Sequence, residues 1–191
     1  MSKPYIKEVE SVLSETLINE CMDNVVEIFK NNDFDHTNHS AWDRELIINS
    51  DKIYVKKITK GSRLYVRICK ELEEVLGRCV NGIHLAFHIM GKNCCIQPHT
   101  DNHVEYALTL YLNDNWSKTD GGLFSYHLDG YDKEIEIKKN KMVRIKNILH
   151  WVTKIECEKP RISIQGFYSA NLRYKQVDVN TIYKYNEADY L

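Results

Sequence analysis

The sequence predicts a mainly β protein with helices at its N-terminal end packed on one sheet. Three observations carry that expectation. Apolar residues recur at helical spacing in two segments of the first 80 residues. From Ile83 onward the apolar period drops to two. The alternating runs are short and are separated by turn-rich pieces such as "NDNWSKTDGG", "DGYD" and "KNK". Strands of this length and spacing point to an antiparallel sandwich or barrel.

At 191 residues the chain is expected to form one domain, 1–191: a helical front over about 1–80, a strand core over about 81–170 and a tail over 171–191. The first helix is expected in "SVLSETLINECMDNVVEIFKNN". There Leu13, Leu17, Cys21, Val25 and Phe29 form a stripe that Ile18 and Ile28 widen. Ser11 or Ser14 suits its start and Asn31-Asn32 its exit. The second, "SRLYVRICKELEEVLGR", carries Leu64, Ile68, Leu72 and Val75 between Ser62 and Gly77. The strand series reads "IHLAFHIM", "VEYALTLYLN", "GGLFSYHL", "KEIEIKK", "KMVRIKN" and "RISIQGFY". In the second run Tyr106, Leu108, Leu110 and Leu112 share one face, and Ala107, Thr109, Tyr111 and Asn113 the other. The tyrosine-rich tail "NLRYKQVDVNTIYKYNEADYL" fits a cover for one edge or a partner surface.

A formal net charge of −1 gives no electrostatic reason to expect a nucleic-acid or anionic-membrane partner. No apolar stretch approaches bilayer length. The charged start "MSKPYIKEVESVLSE" lacks an apolar h-region, so a cytoplasmic location is expected. The six cysteines (21, 69, 79, 94, 95 and 157) contain no CxxC spacing and read as free thiols in a reducing compartment.

The His-x-Asp pattern occurs twice, as His99/Asp101 in "QPHTDNH" and as His127/Asp129 in "YHLDGY". A ferrous centre needs two neutral imidazoles and one carboxylate on one octahedral face. Residues i and i+2 of a strand point the same way, so His-x-Asp supplies two of them. The third must come from a strand that returns close in space. His150, in "NILHWV", follows Asp101 after several passes of chain but follows Asp129 after a single hairpin, which favours the first copy. In "RISIQGFY", Ile162 and Ile164 face one way and Arg161, Ser163 and Gln165 the other. An inward arginine needs an anion, and a bound dicarboxylate would serve. His84 and His88 share a face of the preceding strand, with His88 the candidate for a direct role. Trp116 fits either a substrate contact at the mouth or a packed hairpin tryptophan. Trp42, His36 and His39 lie in "DFDHTNHSAWDRE", where solvated loop residues are the safer reading. Cys94 and Cys95 would be exposed to oxidation beside an iron.

Taken in order, "PHTD", "YALTLYLNDNW", "GGLF", "LHWV" and "PRISI" resemble the iron- and 2-oxoglutarate-dependent dioxygenases, in particular their prolyl-hydroxylase-like branch, over roughly residues 83–168. The resemblance implies a double-stranded β-helix (jelly-roll) with helices on one sheet. It implies His99, Asp101 and His150 as ligands of Fe(II). It implies Arg161 on the distal carboxylate of 2-oxoglutarate, with Ser163 and Tyr111 assisting and Phe124 lining the pocket. O2 is then the second co-substrate and ascorbate a possible reductant. The activity implied is hydroxylation of a C–H bond, foremost of a prolyl residue in a peptide or protein, with release of succinate and CO2. A free amino acid or other small molecule is the alternative substrate, and an inactive jelly-roll binding module the alternative of another class. Oligomeric state is left open. The family often places a tyrosine on the strand before the first histidine, where this chain offers Phe87, His88 or Ile89.

Overall fold

Period-two alternation in the sequence becomes two facing antiparallel sheets in a computed structural model that describes residues 3–37, 46–48, 53–77, 80, 82–101 and 104–168. The elements run β1 (Tyr5–Glu10), α1 (Glu15–Asn31), β2 (His36–Thr37), β3 (Ile47–Ile48), β4 (Ile53–Lys57) and α2 (Arg63–Leu76). They continue with β5 (His84–Met90), β6 (Cys95–His99), β7 (Tyr106–Tyr111), a 3-10 turn (Lys118–Asp120) and β8 (Phe124–Leu128). The last four are β9 (Tyr131–Ile135), β10 (Lys141–Lys146), β11 (Leu149–Val152) and β12 (Arg161–Tyr168). The large sheet has the order β1-β10-β7-β12-β5-β4-β2 and the small one β3-β6-β11-β8-β9. This is the jelly-roll arrangement, with both helices on the large sheet.

Each helix is delimited as its residues dictate. Ser14 and Ser62 accept from backbone N–H groups three residues on, and Asn32 and Gly77 close the ends in the left-handed region. The helices bury Leu17, Ile18, Cys21, Ile68 and Leu72 against Leu108, Leu110 and Ile164 of the sheet. Full burial pushes the Cys21 thiol up to about 12, so it is an inert core group. The opposite face of the large sheet gives Ala107, Tyr111, Val143, Ile145 and Phe167. These pack on Phe124, Tyr126 and Ile135 of the small sheet. Alternation along β7 therefore sends leucines to the helices and Tyr111 into the space between the sheets.

Two expectations are corrected. The first 80 residues are helical only in part, because β1 pairs with β10, and β2 and β4 extend the large sheet beyond β5. "YIKEVE" interleaves charges with Ile6 and Val9, the pattern of a short edge strand. The strand expected at "KEIEIKK" starts earlier, at Tyr131, because Asp129 (φ 55) and Gly130 (φ 83) make a two-residue hairpin turn that pairs Leu128 with Tyr131. Trp42, His39, Cys79 and the tail 171–191 lie outside the described residues, as does the side chain of His36. Among the described residues no disulfide joins Cys21, Cys69, Cys94, Cys95 or Cys157, and no helix is long and apolar enough to cross a membrane.

Candidate metal centre and anion pocket

β6 and β11 are neighbours in the small sheet, and their register sets His99 opposite His150. Asp101 follows two residues after His99. One ligand atom from each of the three lies within 4.8 Å of the others. Asp101 Oδ1 is 3.7 Å from His99 Nε2, and its Oδ2 is 3.5 Å from His150 Nε2. The imidazoles are oriented from behind. His99 Nδ1 lies 2.8 Å from the Gln97 carbonyl and His150 Nδ1 lies 3.0 Å from that of Ile148. A carbonyl only accepts, so each Nδ1 carries the proton and each Nε2 offers its lone pair to the centre. Burial lowers the His150 pKa, with the Asp101 charge opposing and His99 adding to the shift, which favours the neutral form a ligand requires. The ring of Phe124 stacks on His150 at 5.3 Å and fixes it from the side. Two imidazoles and a carboxylate with converging lone pairs match the donor set of a non-heme Fe(II) site.

Among the described residues the second copy of the motif forms no such cluster. His127 pairs across the hairpin with Asp132 at 2.7 Å and is largely exposed, and Asp129 sits in the turn. Its strand position explains this: Tyr126 faces inward opposite His150, so His127 faces out.

Arg161 is 1% exposed at the start of β12. Its Nε donates to the Gly122 carbonyl at 2.8 Å, and Nη1 lies 3.5 Å from Ser163 Oγ and 3.7 Å from Met90 Sδ. The guanidinium carbon sits 5.2 Å from the Tyr111 ring centroid. Among the described residues no carboxylate pairs with it, and neither Arg161 Nη2 nor the Tyr111 hydroxyl, both buried, has a hydrogen-bond partner. Burial pushes the guanidinium pKa down and the phenol pKa up, each shift opposed by the other group. A guanidinium only donates and a phenol carries an O–H, so the two groups leave two buried donors unmatched among the described residues. Leaving such donors buried and unmatched costs on the order of several kcal/mol. Phe124 joins the halves: it stacks on His150 and packs in the same cluster as Tyr111.

The loop from Trp116 to Gly122 holds Arg161 in place. Gly121 (φ +70) and Gly122 (φ +64) have left-handed φ values, and a Cβ on Gly121 would stand 2.0 Å from the Lys154 carbonyl. A Cβ on Gly122 would meet Arg161 Cδ at 3.1 Å. Trp116 Nε1 donates to the Gly121 carbonyl at 2.9 Å, which places this tryptophan in the wall behind Arg161. Lys159 reaches the Asn115 carbonyl and Asp120 Oδ2, each at 2.8 Å. That contact and the Ser117 N–H hold the Asp120 carboxyl down to about 2. Asn113 donates to the Pro160 carbonyl and accepts from Ile162 N–H, pinning the start of β12 to the end of β7. Sequence reading assigns Asn113 a face but no task; its place just after a strand that ends at Tyr111 is the signal it leaves. Of the three residues offered before the first histidine, Phe87 and Ile89 pack under the helices. His88 is buried on the other face, in register with Ser163.

Residues 85–169 match the sequence profile of the 2OG-Fe(II) oxygenase superfamily. No curated protein sequence matches the chain. Among solved structures, a prolyl-4-hydroxylase from Pseudomonas putida is 14% identical with a TM-score of 0.67, over 85% of this chain and 91% of that one. A prolyl hydroxylase from Trichoplax adhaerens, in complex with a hypoxia inducible factor oxygen degradation domain peptide fragment, is 15% identical with a TM-score of 0.68, over 85% and 82%. HygX from Streptomyces hygroscopicus, with nickel and 2-oxoglutarate bound, is 11% identical with a TM-score of 0.62, over 87% and 83%. Fold, triad and profile agree on the same segment: residues 85–169 are similar to the 2OG-Fe(II) oxygenase superfamily, and the triad lies within them.

Proposed function

We propose that this protein is a 2-oxoglutarate-dependent dioxygenase that hydroxylates a C–H bond of a prolyl residue in a peptide or protein, releasing succinate and CO2. The observation that carries the reading is the buried Arg161, with its free Nη2 beside the free Tyr111 hydroxyl, in a core that Phe124 connects to the metal triad. In this reading His99, Asp101 and His150 hold the iron. Arg161, Tyr111 and Ser163 take the distal carboxylate of 2-oxoglutarate, and Phe124 lines its path. The bound iron supplies the oxidising chemistry that couples decarboxylation of the oxoacid to hydroxylation. The chain's own work is to orient and to exclude water. The two carbonyls behind the imidazoles fix their tautomers, and the apolar wall of Phe124, Val143 and Phe167 keeps the space between the sheets dry. His88, in register with Ser163, is a wall residue of the same pocket, and Trp116 acts there through Gly121. Support for a peptidyl-proline substrate is the likeness to two prolyl hydroxylases, one of them holding a peptide.

The test is to incubate the protein with Fe(II), 2-oxoglutarate, O2 and proline-containing peptides, with and without ascorbate. Succinate and the gain of one oxygen atom in peptide mass are then measured. Succinate together with the mass gain is expected. Succinate that depends on Arg161 without any peptide oxidation would overturn the peptide substrate in favour of a small molecule. No succinate with any substrate, from protein that binds iron, would overturn the enzyme reading itself.

A further inference from the structure

Arg144 shows, on the other side of the large sheet, the same signature that marks Arg161. It lies in β10, and alternation sends Val143 and Ile145 between the sheets and Met142 and Arg144 to the helix-bearing face. Arg144 is 5% exposed, yet no carboxylate of the described residues pairs with it; the nearby Glu105 is taken by Lys146 at 2.7 Å. Three tyrosines surround the guanidinium. Its carbon stands 3.9 Å from the ring centroid of Tyr106, 5.3 Å from that of Tyr5 and 5.5 Å from that of Tyr168. Tyr106 and Tyr168 stack on each other, and Tyr5 meets Tyr106 edge-on.

Rings above a guanidinium compensate its charge from the faces. They do nothing for the N–H bonds, which lie in the guanidinium plane. Two of those donors, Nε and Nη2, are buried without a partner among the described residues. They belong to the same edge, the one that engages two oxygens of a carboxylate or phosphate in parallel. A further cation, Lys7 of β1, is exposed in the register position opposite Arg144. Aromatic walls, a positive neighbour and one complete donor edge make a receptor for a planar pair of oxygens.

We propose that Arg144, walled by Tyr5, Tyr106 and Tyr168, is a second anion site that binds a small oxoanion, a carboxylate or phosphate group, on the helix-bearing face of the large sheet. It is separate from the Arg161 pocket and does not rest on the proposed activity.

The test uses the full chain. Inorganic phosphate and acetate are titrated at constant ionic strength into the wild type, Arg161→Met, Arg144→Lys and Arg144→Met, with thermal unfolding as one readout. The Nε–H resonance of Arg144, assigned by its loss in Arg144→Lys, is the other. Saturable stabilisation is expected in the wild type and in Arg161→Met, with the Arg144 resonance moving along the same isotherm. Arg144→Lys keeps the charge but loses the donor edge and should weaken binding about tenfold or more, since a charge-assisted hydrogen bond is removed. Stabilisation of equal size in both Arg144 variants would overturn the proposal, as would a resonance that neither anion moves. The resonance decides the matter in the wild type even if Arg144→Met fails to fold.

Discussion

At the scale of single residues, the structure separates two identical motifs by which way a strand faces. His99→Ala and Asp101→Ala are each expected to abolish succinate formation, and His127→Ala to leave it intact. A turnover assay on the three purified variants checks this, and loss of activity in His127→Ala alone would reverse the assignment. Arg161→Ala is expected to raise the 2-oxoglutarate concentration needed for half-maximal turnover by about 10- to 100-fold or more, the worth of one to two charge-assisted hydrogen bonds. Iron affinity, measured by anaerobic titration, should change little, and equal loss of both would contradict the proposed role. Much of this was legible beforehand. His-x-Asp, the later histidine and an arginine alternating with two isoleucines all follow from residue type and period. The Gly122 carbonyl that receives Arg161 Nε was not, because a backbone acceptor leaves no mark in residue identity.

At the scale of elements, the connections decide where the strands deliver those residues. Asn140, at φ 62 in the turn before β10, joins distant parts of the chain. Its Oδ1 accepts from Leu13 N–H at 2.8 Å, its Nδ2 donates to the Leu13 carbonyl, and its own N–H donates to the Tyr111 carbonyl at 2.9 Å. Asn140→Gly keeps the backbone conformation but loses the side-chain pair. It should cost about 1–3 kcal/mol in urea unfolding, and Asn140→Ala more, because it adds left-handed strain. The strap of Lys159 and Asp120 carries a pH dependence whose sign is set. The folded Asp120 pKa is depressed from 3.8 to about 2, so its stabilising effect is complete above the ordinary value and is lost as pH falls through about 2. Asp120→Asn should lack that acid dependence in a melting series, and a parallel decline in both proteins would show the strap to be energetically silent. The helices were readable through their stripes and caps. β1 and β4 were not, since five or six residues with interleaved charges resemble any solvated segment until a partner strand is known.

At the scale of the whole molecule, binding and folding are one equilibrium. Metal and oxoacid would join the two sheets, linking the triad on one to Arg161 on the other. Adding Mn(II) or Ni(II) with 2-oxoglutarate should therefore raise the melting temperature, and a chelator should return it. The gain at a hundredfold excess over the dissociation constant is about 2.7 kcal/mol. In His150→Ala the metal should give no such shift. The order of the two sheets was beyond the sequence, because pairing β12 with β5 and β7 closes loops of dozens of residues that no local pattern records.

The triad stands on one sheet and Arg161 on the other, so the span between them is the thickness of the sandwich, about 10 Å between backbones. Under the proposed function the two layers would work as the jaws of a calliper whose opening measures the length of the diacid between them. Ala107, Val143 and Phe167, which pack between the layers, would then act as the shims of that opening. Enlarging Ala107 would widen the gap and shift the preference from 2-oxoglutarate toward the oxoacid one methylene longer.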